Sequence, residues 1–162
     1  MFSTDLIVRA EALLDAARVK GLKIATAESC TGGLIAGLLT EIPGSSDVLD
    51  RGFVTYSNDA KEAMLGIPPA LLRQHGAVSE AVARAMAEGA TRNSAAQLSV
   101  AVTGIAGPGG GTEEKPVGLV HIAAARAGEA TLHRECRFGD IGRGAIRLAS
   151  IAAALELLSQ LV

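Results

Sequence analysis

Apolar side chains recur at helical spacing near the start of the chain, at Leu6, Ile7, Ala10, Leu13, Leu14 and Ala17. With Ser3 or Thr4 as a cap and Gly21 as a stop, this spacing predicts an N-terminal helix. Residues 22–27 form a short apolar run between turn signals and read as a buried strand. A helix over residues 31–40 follows, although Gly32, Gly33 and Gly37 lower its propensity. Residues 42–46 read as a loop, 51–56 as a second strand, and 58–65 as a short helix stopped by Gly66 and Pro68-Pro69. Ser79 caps a helix through Arg92, with Val82, Met86 and Ala90 on one face. Residues 98–102 form a third strand. Residues 117–125 and 130–138 pair across Arg126-Ala127-Gly128-Glu129. A last helix covers residues 145–161, with Ile146, Ala149, Ala153 and Leu157 aligned. Neither an internal repeat nor a linker interrupts the pattern. The simplest arrangement is a single α/β domain over residues 1–162, a layered α/β/α sandwich with a mixed sheet.

Composition narrows what such a domain does. The chain has 162 residues, 49% hydrophobic and 20% charged, with a net charge of −2, three phenylalanines, one tyrosine and no tryptophan. A core of Ala, Val, Ile and Leu packed over glycine is expected, with Phe2 and Phe138 at its periphery. Neither a clustered basic excess nor aromatic stacking platforms are present, so no nucleic-acid partner is expected. No apolar run is long enough to span a bilayer. The first residues carry acids and lack a signal-peptide pattern, which points to the cytoplasm. Cys30 and Cys136 form no disulfide framework and suit a reducing compartment.

Four segments carry candidate chemistry. The first is Thr26-Ala27-Glu28-Ser29-Cys30-Thr31-Gly32-Gly33, at a strand-to-helix junction. Free N–H groups in a first helical turn hold an oxyanion or a phosphate, and glycines let a ligand approach the backbone. Ser29 is a candidate nucleophile there; the plainer reading makes Ser29 or Thr31 a cap. Cys30 is a rival nucleophile, because a helix N-terminus lowers a thiol pKa, or else a small packing residue. The second segment ends a strand at Tyr56 and places Lys61 in the first turn of a helix. A desolvated lysine there loses basicity and serves a serine as general base; otherwise Lys61 is a solvated surface cation. Tyr56 is either a core aromatic or a group that orients the lysine. The third segment, residues 99–111, leaves a strand at Thr103 and Gly104 for a glycine loop containing Gly107. Such a loop presents N–H groups to phosphate or acts as a connector, and it lacks the Gly-Lys-Ser/Thr of a Walker loop. In the fourth, Arg143 and Arg147 lie one helical turn apart, positioned to hold a phosphate or simply to carry surface charge. His75, His121 and His133 stand apart without metal-ligand spacing, so no metal is expected.

In this order and spacing, TAESCTGG, GFVTYSNDAK, HGAVSE and GIAGPGGGTEEKPVG resemble the CinA C-terminal domain family, from about Leu22 to Arg147. Its standalone members are nicotinamide-nucleotide amidases, so the resemblance implies hydrolysis of the carboxamide of nicotinamide mononucleotide to nicotinate mononucleotide and ammonia, feeding NAD synthesis. It implies a serine–lysine amidase without cofactor, with Ser29 as nucleophile, Lys61 as base, and Tyr56 and Thr103 as assisting hydroxyls. Cys30, Thr31, Gly32 and Gly33 would face the reacting group. Gly104, Gly107, Arg143 and Arg147 would hold the nucleotide. The family's Gly-Asp-Arg pattern falls on Asp140 and Arg143, with Ile141-Gly142 between them as a short insertion. The resemblance also implies a homo-oligomer, a dimer. Many members carry an N-terminal molybdopterin-binding-like domain without counterpart in these residues, and its activities are not carried over. The alternatives are a non-catalytic nucleotide-binding or regulatory module, and an amidohydrolase for another carboxamide.

Overall fold

Residues 2–162 are described by a computed structural model; of the expected domain, Met1 alone lies outside the described residues. The elements run α1 (Thr4–Val19), β1 (Ile24–Glu28), α2 (Leu34–Thr40), β2 (Leu49–Val54), α3 (Asn58–Leu65), α4 (Pro69–His75), α5 (Glu80–Arg92), β3 (Leu98–Gly104), β4 (Leu119–Arg126), β5 (Leu132–Arg137) and α6 (Arg143–Ser159). A short 3₁₀ turn, Ser45–Asp47, leads into β2. The strands form one mixed sheet in the order β2-β1-β3-β4-β5. β2 and β3 flank β1 in parallel, whereas β4 and β5 continue antiparallel from β3. Among the described residues, no helix is long and apolar enough to cross a membrane.

Alternation along the strands sorts side chains into two cores. Ile24, Val100, Val102, Val120 and Ile122 pack with α1, α2 and α6. Ala25, Ala27, Ala101, Ala123 and Ala125 face α3, α4 and α5. Small residues on that second face let α5 approach the sheet closely. The α3–α5 contact is closer still, since a Cβ at Gly89 would lie 2.4 Å from the Leu65 carbonyl oxygen. This explains how a core almost without aromatic rings closes around a sheet, and it is the expected three-layer arrangement.

Several boundaries differ from the expected ones for local reasons. The second helix starts at Leu34 rather than at residue 31, because Gly32 and Gly33 hold φ of 61° and 96°. Positive φ cannot continue a right-handed helix. The sequence pattern predicts no helix at α4: Pro68-Pro69 reads as a breaker, but Pro69 occupies the first turn of a helix, where its missing N–H costs nothing. β4 begins at Leu119, after Gly118 turns the chain at φ 91°.

The order β2-β1-β3 also places the site. The connection after β1 passes through α2 on one face, and the connection after β2 passes through α3, α4 and α5 on the other. Ligand crevices in open α/β sheets form outside the carboxyl ends of strands where connections diverge in this way. Here that crevice lies beyond Glu28 of β1 and Gly104 of β3.

Candidate active site

Ser29 is the first residue after β1. Its N–H donates to the Val102 carbonyl of β3 (2.9 Å), and its own carbonyl accepts from the Gly32 N–H (3.0 Å). The serine therefore sits on a tight turn tied to the sheet. This corrects the expectation that it sits in the first turn of a helix. The anion site expected at that helix start is also filled from within: the N–H groups of Ile35 and Ala36 donate to the two carboxylate oxygens of Glu28, at 2.9 and 3.0 Å. The backbone N–H groups of Cys30 and Thr31, by contrast, donate to no described residue. Of the two, only Cys30 lines the cleft beside the serine, so its N–H is the available donor.

Lys61 reaches this turn from α3. Ser57 caps that helix by accepting the Ala60 N–H at 3.0 Å. One turn in, the Lys61 side chain runs inward and is only 1% exposed, so it is no surface lysine. Its Nζ donates to the Thr55 carbonyl at 2.9 Å and to Ser29 Oγ at 3.2 Å. Burial pushes its pKa below the ordinary lysine value of 10.5; the neighbouring Cys30 opposes this more weakly. The same burial pushes the Cys30 thiol up to about 11, so at neutral pH it stays protonated and is a poor rival nucleophile.

The other expected residues divide between cleft and scaffold. Ser29, Cys30, Tyr56, Lys61, Thr103, Gly104, Gly107 and Arg143 line one cleft of about 290 Å3, joined by Asn58, Ala77, Val78 and Ile105 among others. Thr103 Oγ1 donates to the Ala77 carbonyl at 2.9 Å. Tyr56 is 62% exposed and accepts from Arg143 Nη2 at 3.2 Å, so it is no core aromatic. Arg143 also donates to the Gly107 carbonyl at 2.8 Å. Thr31, Gly32, Gly33 and Arg147 do not line the cleft. Gly32 and Gly33 shape the turn. Arg147 donates from Nε to the Cys30 carbonyl (3.1 Å) and from Nη2 to the Thr31 carbonyl (3.0 Å). The two arginines thus do not converge on one anion: Arg143 faces the cleft and Arg147 braces the serine turn.

Two cations, Lys61 and Arg143, and no carboxylate line this cleft. A low-dielectric crevice of one sign concentrates ligands of the other, so the cleft favours an anion. A buried lysine touching a serine hydroxyl is the geometry of an activated nucleophile. Among the described residues, no group of three or more His, Cys, Asp or Glu side chains gathers to hold a metal. Glu28 is the residue that pattern reasoning missed: it lies inside the TAESCTGG segment, but nothing in hydrophobic periodicity marks a carboxylate that folds back onto a helix. Ala77 and Val78 fall within the HGAVSE segment, which was the available signal for them.

Exposure makes Tyr56 a clean probe. Tyr56→Phe removes only a hydroxyl that meets Arg143, so the melting temperature should stay within a few degrees. We expect kcat/KM to fall by roughly 10-fold, in line with the loss of one charge-assisted hydrogen bond. An unchanged kcat/KM would remove this hydroxyl from the site.

The model of the CinA C-terminal domain matches residues 8–162. The chain is 48% identical over 161 residues to the nicotinamide-nucleotide amidohydrolase PncC of Escherichia coli (strain K12), covering 99% of this chain and 96% of that protein. It is 52% identical over 125 residues to a protein of Caldicellulosiruptor bescii named for competence-damage induction, and spans only 30% of that relative's length. Among solved structures, the competence/damage inducible protein CihA from Agrobacterium tumefaciens superposes with a TM-score of 0.97 at 56% identity, covering 99% of this chain and 98% of that one. From these matches and the shared architecture, the chain belongs to the CinA C-terminal domain family.

Proposed function

We propose that the protein is a nicotinamide-nucleotide amidohydrolase that converts nicotinamide mononucleotide to nicotinate mononucleotide and ammonia, in recycling toward NAD. The observation that carries this reading is the buried Lys61 Nζ at 3.2 Å from Ser29 Oγ, on a cationic cleft. The near full-length similarity to the E. coli amidohydrolase supports the choice of substrate.

In this mechanism neutral Lys61 accepts the Ser29 proton as the oxygen attacks the carboxamide carbon. The tetrahedral oxyanion is received by the free N–H group of Cys30; one such donor is worth about 2.7–4 kcal/mol in well-studied cases. Collapse breaks the C–N bond, and the proton held by Lys61 passes to the departing nitrogen, giving ammonia and an acyl-serine. Water, deprotonated by the same lysine, then releases the carboxylate and restores Ser29. Tyr56 and Thr103 flank the reacting groups. Arg143 with the Gly104–Gly107 backbone carries the phosphate. Each step uses side chains and backbone of this chain alone, without a cofactor. The two free cysteines fit a reducing cytoplasm as the site of action, and the family resemblance favours a homodimer.

A non-catalytic nucleotide-binding module would use the glycine loop and Arg143 equally well, but it would not need a lysine buried against a serine. Incubation with nicotinamide mononucleotide separates the two: we expect ammonia and nicotinate mononucleotide in equal amounts. Binding without ammonia release would contradict the enzyme reading, and a faster rate on free nicotinamide or another carboxamide would move the activity to a different substrate.

A further inference from the structure

Ser29 lies on a turn with no helical register to hold it, yet a reacting serine must keep its hydroxyl and its oxyanion donors in place to well within an ångström. Two side chains that do not line the cleft grip this turn from its two ends. At one end is Glu28, the residue immediately before the serine and fully buried. Its Oε1 accepts the Ile35 N–H at 2.9 Å. Its Oε2 accepts the Ala36 N–H at 3.0 Å and the Thr26 hydroxyl at 3.1 Å. The carboxylate therefore ties the last residue of β1 to the first turn of α2 across the intervening turn. Its backbone carbonyl meanwhile accepts the Thr55 N–H at 2.9 Å, joining it to the residue whose carbonyl holds Lys61.

At the other end is Arg147 of α6, which takes the carbonyls of Cys30 and Thr31. In a trans peptide the C=O and the following N–H point in opposite directions. Holding the Thr31 carbonyl fixes the direction of the Gly32 N–H, which donates to the Ser29 carbonyl, and that peptide in turn sets the direction of the unengaged Cys30 N–H. The glycines make room for this grip: a Cβ on Gly32 would lie 3.3 Å from Arg147 Nη2.

We infer that Glu28 and Arg147 are positioning residues that lock the Ser29 turn with its Cys30 N–H open to the reacting oxygen. The inference rests on the reading of Ser29 as nucleophile. Neither residue lines the cleft, so their loss is expected to act on the rate rather than on binding.

The test uses Glu28→Gln and Arg147→Lys in the full-length protein. Glutamine keeps the shape but turns an NH2 group toward backbone donors. Lysine keeps the charge but lacks the fork that reaches two carbonyls. kcat is measured per nucleotide-binding site titrated with nicotinate mononucleotide, alongside the rate at which a small fluorophosphonate labels Ser29. We expect each substitution to lower kcat per site by about 10–100-fold, with labelling reduced in parallel and KM within about 2-fold. A purely structural role would lower the number of binding sites and leave kcat per site unchanged, and that result would overturn the inference. If Glu28→Gln fails to fold, Thr26→Val carries the same test. It removes one hydrogen bond from the carboxylate while keeping the carboxylate itself, and it should lower kcat per site by about 3–10-fold; no change there would likewise overturn the inference. Failure of the underlying reading is distinguishable, because in that case the unsubstituted protein itself would neither label at Ser29 nor release ammonia.

Discussion

Replacing Ser29 by alanine should lower turnover of nicotinamide mononucleotide by about 10⁴-fold or more, while substrate binding and folding persist. The size follows from losing the attacking atom: in serine hydrolases, removal of the nucleophile alone erases most of the rate enhancement, and binding plus oxyanion donors account for the remainder. Binding persists because Arg143, Tyr56 and the glycine loop are untouched. Folding persists because the turn's tethers use the Ser29 backbone rather than its hydroxyl. Equilibrium dialysis with substrate and a steady-state ammonia assay together check both halves. A residual rate within 10-fold of the unsubstituted protein would remove Ser29 from the nucleophile role.

The second large effect belongs to Lys61. Lys61→Met keeps the length of the side chain but deletes the base, and general-base loss costs about 10²–10⁴-fold. Its stability consequence is small, because two effects oppose one another. Removing the buried lysine relieves the desolvation penalty on its charged form. It also leaves the Thr55 carbonyl without the Nζ donor, at about 1–3 kcal/mol. A net change near 1 kcal/mol moves the melting temperature of a chain this size by only about 2–4 °C. Activity and stability therefore separate in this variant.

The proposed mechanism also fixes a pH dependence. With neutral Lys61 as the base, kcat/KM should rise with pH and level off, with a midpoint below 10.5 because burial lowers the pKa. Stability follows with the same sign. Between the lowered folded pKa and the ordinary value, the unfolded chain holds the extra proton, so unfolding becomes harder as pH rises across that window. Lys61→Met should flatten this stability slope. A pH–rate limb that survives in Lys61→Met would assign it to another group.

The architecture was largely legible from the hydrophobic pattern, since α1, α5 and α6 each announce one buried face and β1 and β3 read as short apolar runs buried on both. What the pattern could not show were features that depend on partners far along the chain. The run from Thr31 to Thr40 reads as one helix by composition, yet two glycines at positive φ move its start to Leu34 and turn a presumed helix terminus into a tethered turn. Lys61 was recognisable as a candidate base from its helical position, but its 1% exposure and its contact with Ser29, 32 positions away, are set only by the fold. Arg143 and Arg147 share a helical face by spacing alone. Their different uses are set by which backbone each meets: Gly107 for one, Cys30 and Thr31 for the other, more than 100 residues distant. Glu28 was invisible for the same reason, as its partners are main-chain N–H groups that no side-chain pattern records.

A covalent acyl intermediate on Ser29 is directly observable. Unsubstituted protein is mixed with nicotinamide mononucleotide, quenched in acid within the first turnover, and its peptides are weighed. We expect a mass increase equal to the nicotinate mononucleotide acyl group on the peptide spanning Ser29 and Cys30, with fragmentation placing it on Ser29. It should persist in Cys30→Ala and disappear in Ser29→Ala. An adduct on Cys30, or full ammonia release from Ser29→Ala, would contradict it.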